Sequence, residues 1–138
     1  MKFRGKLFLV IILILSFTLL VACKSTQLSE DFDEAEVKKA TEQVITYINN
    51  KDSEGLLDMS TVAVKNAFTP EVLAQVFEAI EEGGAFEEIE DISVGQDKDK
   101  ATEEEFAVAI AKAKYEHKNF IYTISFTKQM KLAGLFYR

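Results

Sequence analysis

The chain contains few of the residues on which many protein functions depend. Its 138 residues include one cysteine, one histidine, one proline and no tryptophan. A single cysteine excludes an intrachain disulfide, and one cysteine with one histidine is too few for the common zinc sites. The sequence also has no glycine-rich phosphate loop. These shortages exclude disulfide-stabilised scaffolds and predict a domain without a bound metal or other cofactor.

Basic residues are scarce relative to acidic ones. The chain carries 16 lysines and arginines against 23 aspartates and glutamates, a formal net charge of −7. Residues 23–138 retain 13 basic and 23 acidic side chains, a charge of −10. This sign disfavours nucleic acid, whose binding depends on neutralising phosphates, and it disfavours adsorption to an anionic membrane surface. We therefore expect no nucleic-acid partner.

The first 23 residues have the layout of a secretory signal. Three basic residues within the first six positions precede an apolar run from Leu7 to Val21. Leu20-Val21-Ala22-Cys23 resembles the lipobox of bacterial lipoprotein signal peptides. The resemblance implies cleavage before Cys23, diacylation of its sulfur and attachment to the extracytoplasmic face of the cell membrane. The alternative is an uncleaved spanning helix, for which the apolar run is slightly short.

The remaining chain is long enough for one domain. We interpret residues 1–22 as the lipoprotein signal peptide and residues 23–30 as the lipidated cysteine with a polar tether. Residues 31–138 then form one α+β domain. The 116 residues from Cys23 onward are the size of an ordinary domain and can bury a core without disulfides.

The first half of this domain has the apolar spacing of helices. Apolar residues recur every three or four positions over 31–50, which predicts an amphipathic helix. A short helix around Leu56 follows, and residues 60–68 are either a helical turn or an extended link. Thr69-Pro70-Glu71 combines a capping residue with proline at the first helical position. It predicts a helix that ends at Gly83-Gly84.

Beyond Gly84 the apolar period changes from helical spacing to two. Residues 120–126 alternate strictly, 131–137 form a last strand, and 86–94 form another with one register slip that indicates a bulge. Residues 103–115 contain strong helix formers, yet apolar residues alternate with alanines there. We predict a strand over 106–116, because a hairpin around His117-Lys118-Asn119 would pair it with the next strand.

Three segments resemble a known family: Phe68-Thr69-Pro70-Glu71-Val72-Leu73, Gly84-Ala85-Phe86 and Leu132-Ala133-Gly134-Leu135-Phe136. They resemble domain of unknown function 3887, in the nuclear transport factor 2-like superfamily. Lys128-Gln129-Met130 departs from the Asp-Gly type turn common in that family. The resemblance implies N-terminal helices packed on a curved antiparallel sheet, a cone with a pocket between the two layers. It supplies no catalytic residue.

Aromatic residues provide the candidate pocket. They would line the concave face of such a cone, either as ordinary core packing or as an apolar pocket whose tyrosine hydroxyls orient a small ligand. The candidate lining residues are Tyr47, Phe77, Tyr122, Ile124 and Phe126.

Three functional hypotheses follow. The first is a non-catalytic, lipid-anchored domain that binds a small apolar molecule or an envelope protein. The alternative is a cone-fold enzyme in which Asp58 acts with Tyr47 or Tyr122, as the carboxylate and tyrosine of ketosteroid isomerases do. The third is a module that pairs a strand edge with a neighbouring protein. His117 falls in the predicted hairpin turn without a catalytic partner, so we assign no catalytic residue.

Overall fold

The computed structural model describes residues 28–138, so the predicted signal peptide and Cys23 lie outside the described residues. In the described part, none of the helices is both long and apolar enough to cross a membrane. Within residues 28–138, four helices precede four strands. The helices are α1 (Glu34–Asn49), α2 (Ser53–Asp58), α3 (Val62–Ala67) and α4 (Pro70–Glu81). The strands are β1 (Phe86–Lys98), β2 (Glu105–Tyr115), β3 (Asn119–Phe126) and β4 (Leu132–Tyr137).

Helix α1 confirms the amphipathic pattern seen in the sequence. Asp33 caps its first turn, where the carboxylate accepts hydrogen bonds from the backbone N–H groups of Ala35 at 2.8 Å and Glu36 at 3.3 Å. One face of the helix is buried against the sheet. The buried residues of that face are Val37, Thr41, Val44, Ile45 and Ile48.

Capping side chains also position the three shorter helices. Asp52 accepts from the N–H of Gly55 in α2, and Thr61 accepts from the N–H of Val64 in α3. Residues 62–67, for which the sequence left two alternatives, are therefore helical. Thr69 caps α4 and Pro70 occupies its first position, as predicted.

The four strands form one antiparallel sheet in the order β1-β2-β3-β4. Residues 105–115 form strand β2, which confirms that the alternation of apolar residues and alanines outweighs their helix propensity. Its alternate alanines are fully buried and pair with large residues of β3, as in Ala111 with Tyr122 and Ala109 with Ile124. Because alanine side chains are small, α1 can pack closely on this part of the sheet.

Strand β1 differs from the predicted strand in two ways. It continues to Lys98 rather than ending near Val94. It also has two register shifts rather than one, between Phe86 and Glu88 and between Ile89 and Asp91. The apolar residues Phe86, Ile89 and Ile92 lie three positions apart, so each step needs one extra residue to keep the side chains on one face.

The helices cover one face of the sheet, which gives an α+β fold with an open four-stranded sheet. This confirms the predicted fold at the level of helices packed on an antiparallel sheet. The core lies between the two layers, and Tyr122, Phe126 and Leu132 are among its fully buried side chains. On the opposite face, Ile110 and Phe136 remain 47% and 71% exposed.

The start of the described chain is attached to one end of the sheet. The backbone N–H of Ser29 donates to Gln96 Oε1 of β1 at 2.6 Å. The ammonium of Lys128 contacts Asp31 at 3.1 Å and Glu105 at 3.2 Å. The segment that precedes α1 therefore lies where β1 ends and β2 begins.

Candidate functional site

A cleft of about 350 Å³ opens at the other end of the sheet, where β1 begins and β2 ends. Its walls come from the end of α1, the last turns of α4, and the chain that links α4 to β1. The apolar part of the lining includes Ile48, Phe77, Ile80 and Phe86, and the polar part includes Asn49, Lys51, Glu81 and Tyr115. The cleft therefore combines apolar walls with a few polar groups.

Two aromatic rings form part of the wall. The centroids of Phe86 and Tyr115 lie 5.4 Å apart, and their planes meet at 65°. Phe120 packs on the far side of Tyr115 at 5.2 Å and a right angle. Phe86 is 41% exposed, whereas Phe77 is buried. Edge-to-face packing of this kind stabilises the arrangement of the rings.

A hydrogen-bond chain leads from the core to the cleft. The hydroxyl of Tyr115 donates to Asn49 Oδ1 and lies 2.8 Å from the hydroxyl of Tyr122. Since an amide oxygen only accepts, the proton of Tyr115 is committed to Asn49, and Tyr122 must donate to Tyr115. The polar chain therefore runs from Tyr122 through Tyr115 to Asn49 at the cleft.

The two tyrosines are neutral at neutral pH. Burial raises the pKa of Tyr122, and the hydrogen bond that it donates to Tyr115 raises it further. Burial also raises the pKa of Tyr115, partly offset by its hydrogen bonds with Tyr122 and Asn49. The cleft thus contains a neutral tyrosine hydroxyl rather than a phenolate.

An ion pair lies beside the aromatic wall. Lys51 Nζ is 2.8 Å from Glu81 Oε2, and both side chains are more than half exposed. Lys51 follows the end of α1 with a φ of 54°, a left-handed conformation that turns the chain after the helix. An exposed pair of this kind contributes little to stability, about 0–1 kcal/mol, and its partners can exchange for others.

The structure brings only some of the predicted pocket residues to this cleft. Phe77 lines it, and Tyr122 reaches it through the Tyr115 hydroxyl. Ile124 and Phe126 are fully buried in the core. Tyr47 is partly buried and packs its ring against Gly55 in α2.

Sequence reasoning missed most of the cleft residues. Tyr115 continues the alternate positions of the buried alanines in β2, and this pattern could have placed it on the inner face. Lys51 and Glu81 are 30 positions apart and carry no local signal of their contact. Only the packing of α4 beside the end of α1 brings them together.

The carboxylate suggested for an enzyme does not lie in the core. Asp58 is exposed, because α2 buries Leu56 instead. Over residues 28–138 the buried polar side chains are Thr41, Ser60 and Thr127, none of which is a carboxylate. His117 lies in the β2–β3 turn with its side chain 64% exposed. In the same range, no group of three or more potential ligands could hold a metal ion.

Two comparisons with known proteins place the chain. The profile of a family described as "Protein of unknown function (DUF3887)" matches residues 41–135. A solution NMR structure of a protein from Ruminococcus gnavus ATCC 29149 is similar, with a TM-score of 0.70 and 23% identity over 80% of this chain and 95% of that one. At this identity the likeness shows the fold alone. No curated protein matches the sequence.

Proposed function

Because the chain belongs to the family described as protein of unknown function DUF3887, we propose its function from the geometry of the cleft. The protein is a lipid-anchored, extracytoplasmic binding domain that holds a small ligand between α1, α4 and the sheet, without catalysing a reaction. The observation that carries this proposal is the aromatic cleft with a hydrogen-bonded tyrosine at its wall.

The size and lining of the cleft support a small ligand. Ligand pockets are typically about 300–1,000 Å³, with apolar walls and a few placed polar groups. The volume of about 350 Å³ lies near the lower limit. The Asn49 amide, whose oxygen accepts from the Tyr115 hydroxyl, can orient a ligand, while Phe77 and Phe86 supply apolar contact.

The membrane anchor is the second part of the proposal. Its support is the Leu-Val-Ala-Cys sequence after a basic head and an apolar run. A diacylated Cys23 would supply the two chains that stable anchoring needs. Residues 24–30 would connect the lipid to the folded domain.

The proposed fold family is the nuclear transport factor 2-like cone. Its support is the order of elements, in which four helices precede a four-stranded meander and pack on one face of it. In this interpretation the cleft is the pocket between the two layers.

Filling the cleft tests the binding function. Ala85 is exposed and lines the cleft, so Ala85→Leu adds bulk there and retains the backbone contacts of this position with Glu116. Ala63→Leu is the matched control on the exposed side of α3. We expect native mass spectrometry of the full-length protein in detergent to show a co-purified small molecule in the wild type and in Ala63→Leu, but not in Ala85→Leu. A ligand retained equally by both variants, or a wild type that carries no small molecule, would contradict the proposal.

Replacing the cysteine tests the anchor. Cys23→Ala removes the sulfur that accepts lipid, so we expect a precursor of unchanged length that takes up no labelled fatty acid. Ser25→Ala, two residues later, is the control and should be processed and lipidated normally. Normal cleavage of Cys23→Ala would overturn the anchor.

A further inference from the structure

We propose that the cleft selects small organic cations over neutral and anionic molecules of the same shape. This inference rests on the proposed binding function and names its ligand class. Three independent features of the described residues carry it: the aromatic wall, the carboxylate of Glu81 and the charge of the chain.

The aromatic wall offers one exposed ring to a cation. An ammonium within about 6 Å of a ring centroid is attracted by the negative face of the π system. The rings of Phe86 and Tyr115 both line the cleft, and their planes differ by 65°. A cation in the cleft can therefore contact the ring of Phe86, which is 41% exposed, whereas Tyr115 is 3% exposed and packs against Phe86.

The same aromatic cluster already binds an ammonium of the chain itself. Lys118 Nζ lies 4.9 Å from the ring centroid of Phe120, the ring that packs on the far side of Tyr115. A cation–π contact thus exists one ring away from the cleft.

Glu81 supplies the opposite charge. Its carboxylate lines the cleft and pairs there with the ammonium of Lys51 at 2.8 Å. Lys51 is 52% exposed, so its ammonium can move into water when a ligand ammonium takes its place. Because the pair is solvent-exposed, this exchange costs little. Lys51 therefore acts as an internal competitor for the cation site.

The charge of the whole chain acts in the same direction. Residues 23–138 carry 13 basic and 23 acidic side chains, a formal net charge of −10. A negatively charged protein raises the local concentration of cations and lowers that of anions. An anion in the cleft could pair with Lys51, but the neighbouring carboxylate of Glu81 and the negative charge of the chain would repel it.

Three probes of nearly equal shape test the inference. Choline carries a trimethylammonium group, 3,3-dimethylbutan-1-ol replaces its nitrogen with carbon, and 3,3-dimethylbutanoate adds a negative charge. Each is titrated into the full-length protein in detergent, and NMR shifts of the Phe86 and Tyr115 amides report binding. We expect choline to bind about tenfold more tightly than the neutral alcohol, and the anion to bind most weakly.

Two substitutions that remove the same ion pair should have opposite effects. Glu81→Gln removes the carboxylate and should weaken choline binding by up to about fivefold. Lys51→Met removes the internal competitor and should strengthen choline binding. Glu82→Gln is the control, because Glu82 is adjacent but outside the cleft lining, and it should leave the affinity unchanged. An anion site would give the reverse, with Lys51→Met abolishing binding.

The outcomes separate this inference from the proposed function. If the neutral alcohol shifts the cleft amides and binds as tightly as choline, the cation selectivity is wrong and the small-ligand function stands. If none of the three probes shifts these amides, the selectivity is also wrong. If, in addition, Ala85→Leu retains the same co-purified molecule as Ala63→Leu, the binding function fails with it.

Discussion

Tyr115 has two hydrogen-bond partners, and its replacement affects both. Tyr115→Phe removes the acceptor for the Tyr122 hydroxyl, which is fully buried. An unsatisfied buried hydroxyl costs about 1–3 kcal/mol of the free energy of unfolding. We expect Tyr115→Phe to destabilise the protein by about this amount, and Tyr122→Phe to cost less because the Tyr115–Asn49 bond remains. Urea denaturation measures the free energy of unfolding of both variants.

The double variant provides the control. Tyr115→Phe/Tyr122→Phe has no orphaned hydroxyl from Tyr122, so we expect it to be more stable than Tyr115→Phe alone. Equal costs for the two single variants would argue against the assigned direction of the hydrogen bonds.

The raised pKa of Tyr122 predicts a pH dependence at the alkaline end. Its pKa in the folded protein lies above its value in the unfolded chain, which is about 10. The stabilisation is therefore fully present below pH 10 and decreases as pH rises above it, where the unfolded tyrosine ionises and the folded one does not. Above pH 10 we expect the wild type to lose about 1.4 kcal/mol per pH unit more than Tyr122→Phe. If the free energy of unfolding of the wild type and of Tyr122→Phe changed equally with pH above 10, this prediction would be wrong.

Among the elements, β2 shows where local propensity and tertiary packing disagree. Its alanines and lysines favour a helix, but the alternation of buried and exposed positions fits a strand between β1 and β3. The alternation, the cap of α4 and the two-residue period of β3 were all readable from the sequence. The second bulge of β1 was readable only from the three-residue steps between its apolar positions.

The alanine positions of β2 should not accept larger side chains. Ala111 is fully buried opposite Tyr122 on the face that packs against the helices. We expect Ala111→Leu to lower the free energy of unfolding by about 1–3 kcal/mol, because overpacking forces neighbouring side chains or α1 to move. The control is Ala101→Leu, the same change at an exposed position in the β1–β2 turn. Thermal denaturation compares the stability of the two variants. If both variants have the same stability, β2 does not limit the approach of α1.

For the whole molecule, the sequence indicated the layers but not the cleft. The periodicity of each segment predicts which face is buried, so the α+β arrangement could be derived. The cleft joins Asn49 at the end of α1, Lys51 after it, Glu81 of α4, and Tyr115 of β2. No spacing within one segment encodes these contacts, because they arise only when the helices pack on the sheet.

The excess of acidic side chains predicts a salt dependence of stability. At neutral pH the net charge of −10 on residues 23–138 makes the folded chain repel itself, and salt screens this repulsion. We expect the free energy of unfolding to rise by up to about 1 kcal/mol as sodium chloride increases from low to physiological concentration. The same titration at acidic pH, where protonation of carboxylates cancels the net charge, is the control, and little change is expected there. A fall in stability with salt at neutral pH would mean that surface ion pairs outweigh the repulsion.

The two ends of the long β1–β2 hairpin have different neighbours. At one end, the backbone of Ser29 is hydrogen-bonded to the side chain of Gln96. Phe86, which lines the cleft, precedes Gln96 by ten residues of β1, or roughly 30 Å along the strand. If Cys23 carries the proposed lipid, the segment that leads to the anchor and the cleft would lie at opposite ends of the sheet. A ligand would then enter the cleft from the aqueous phase.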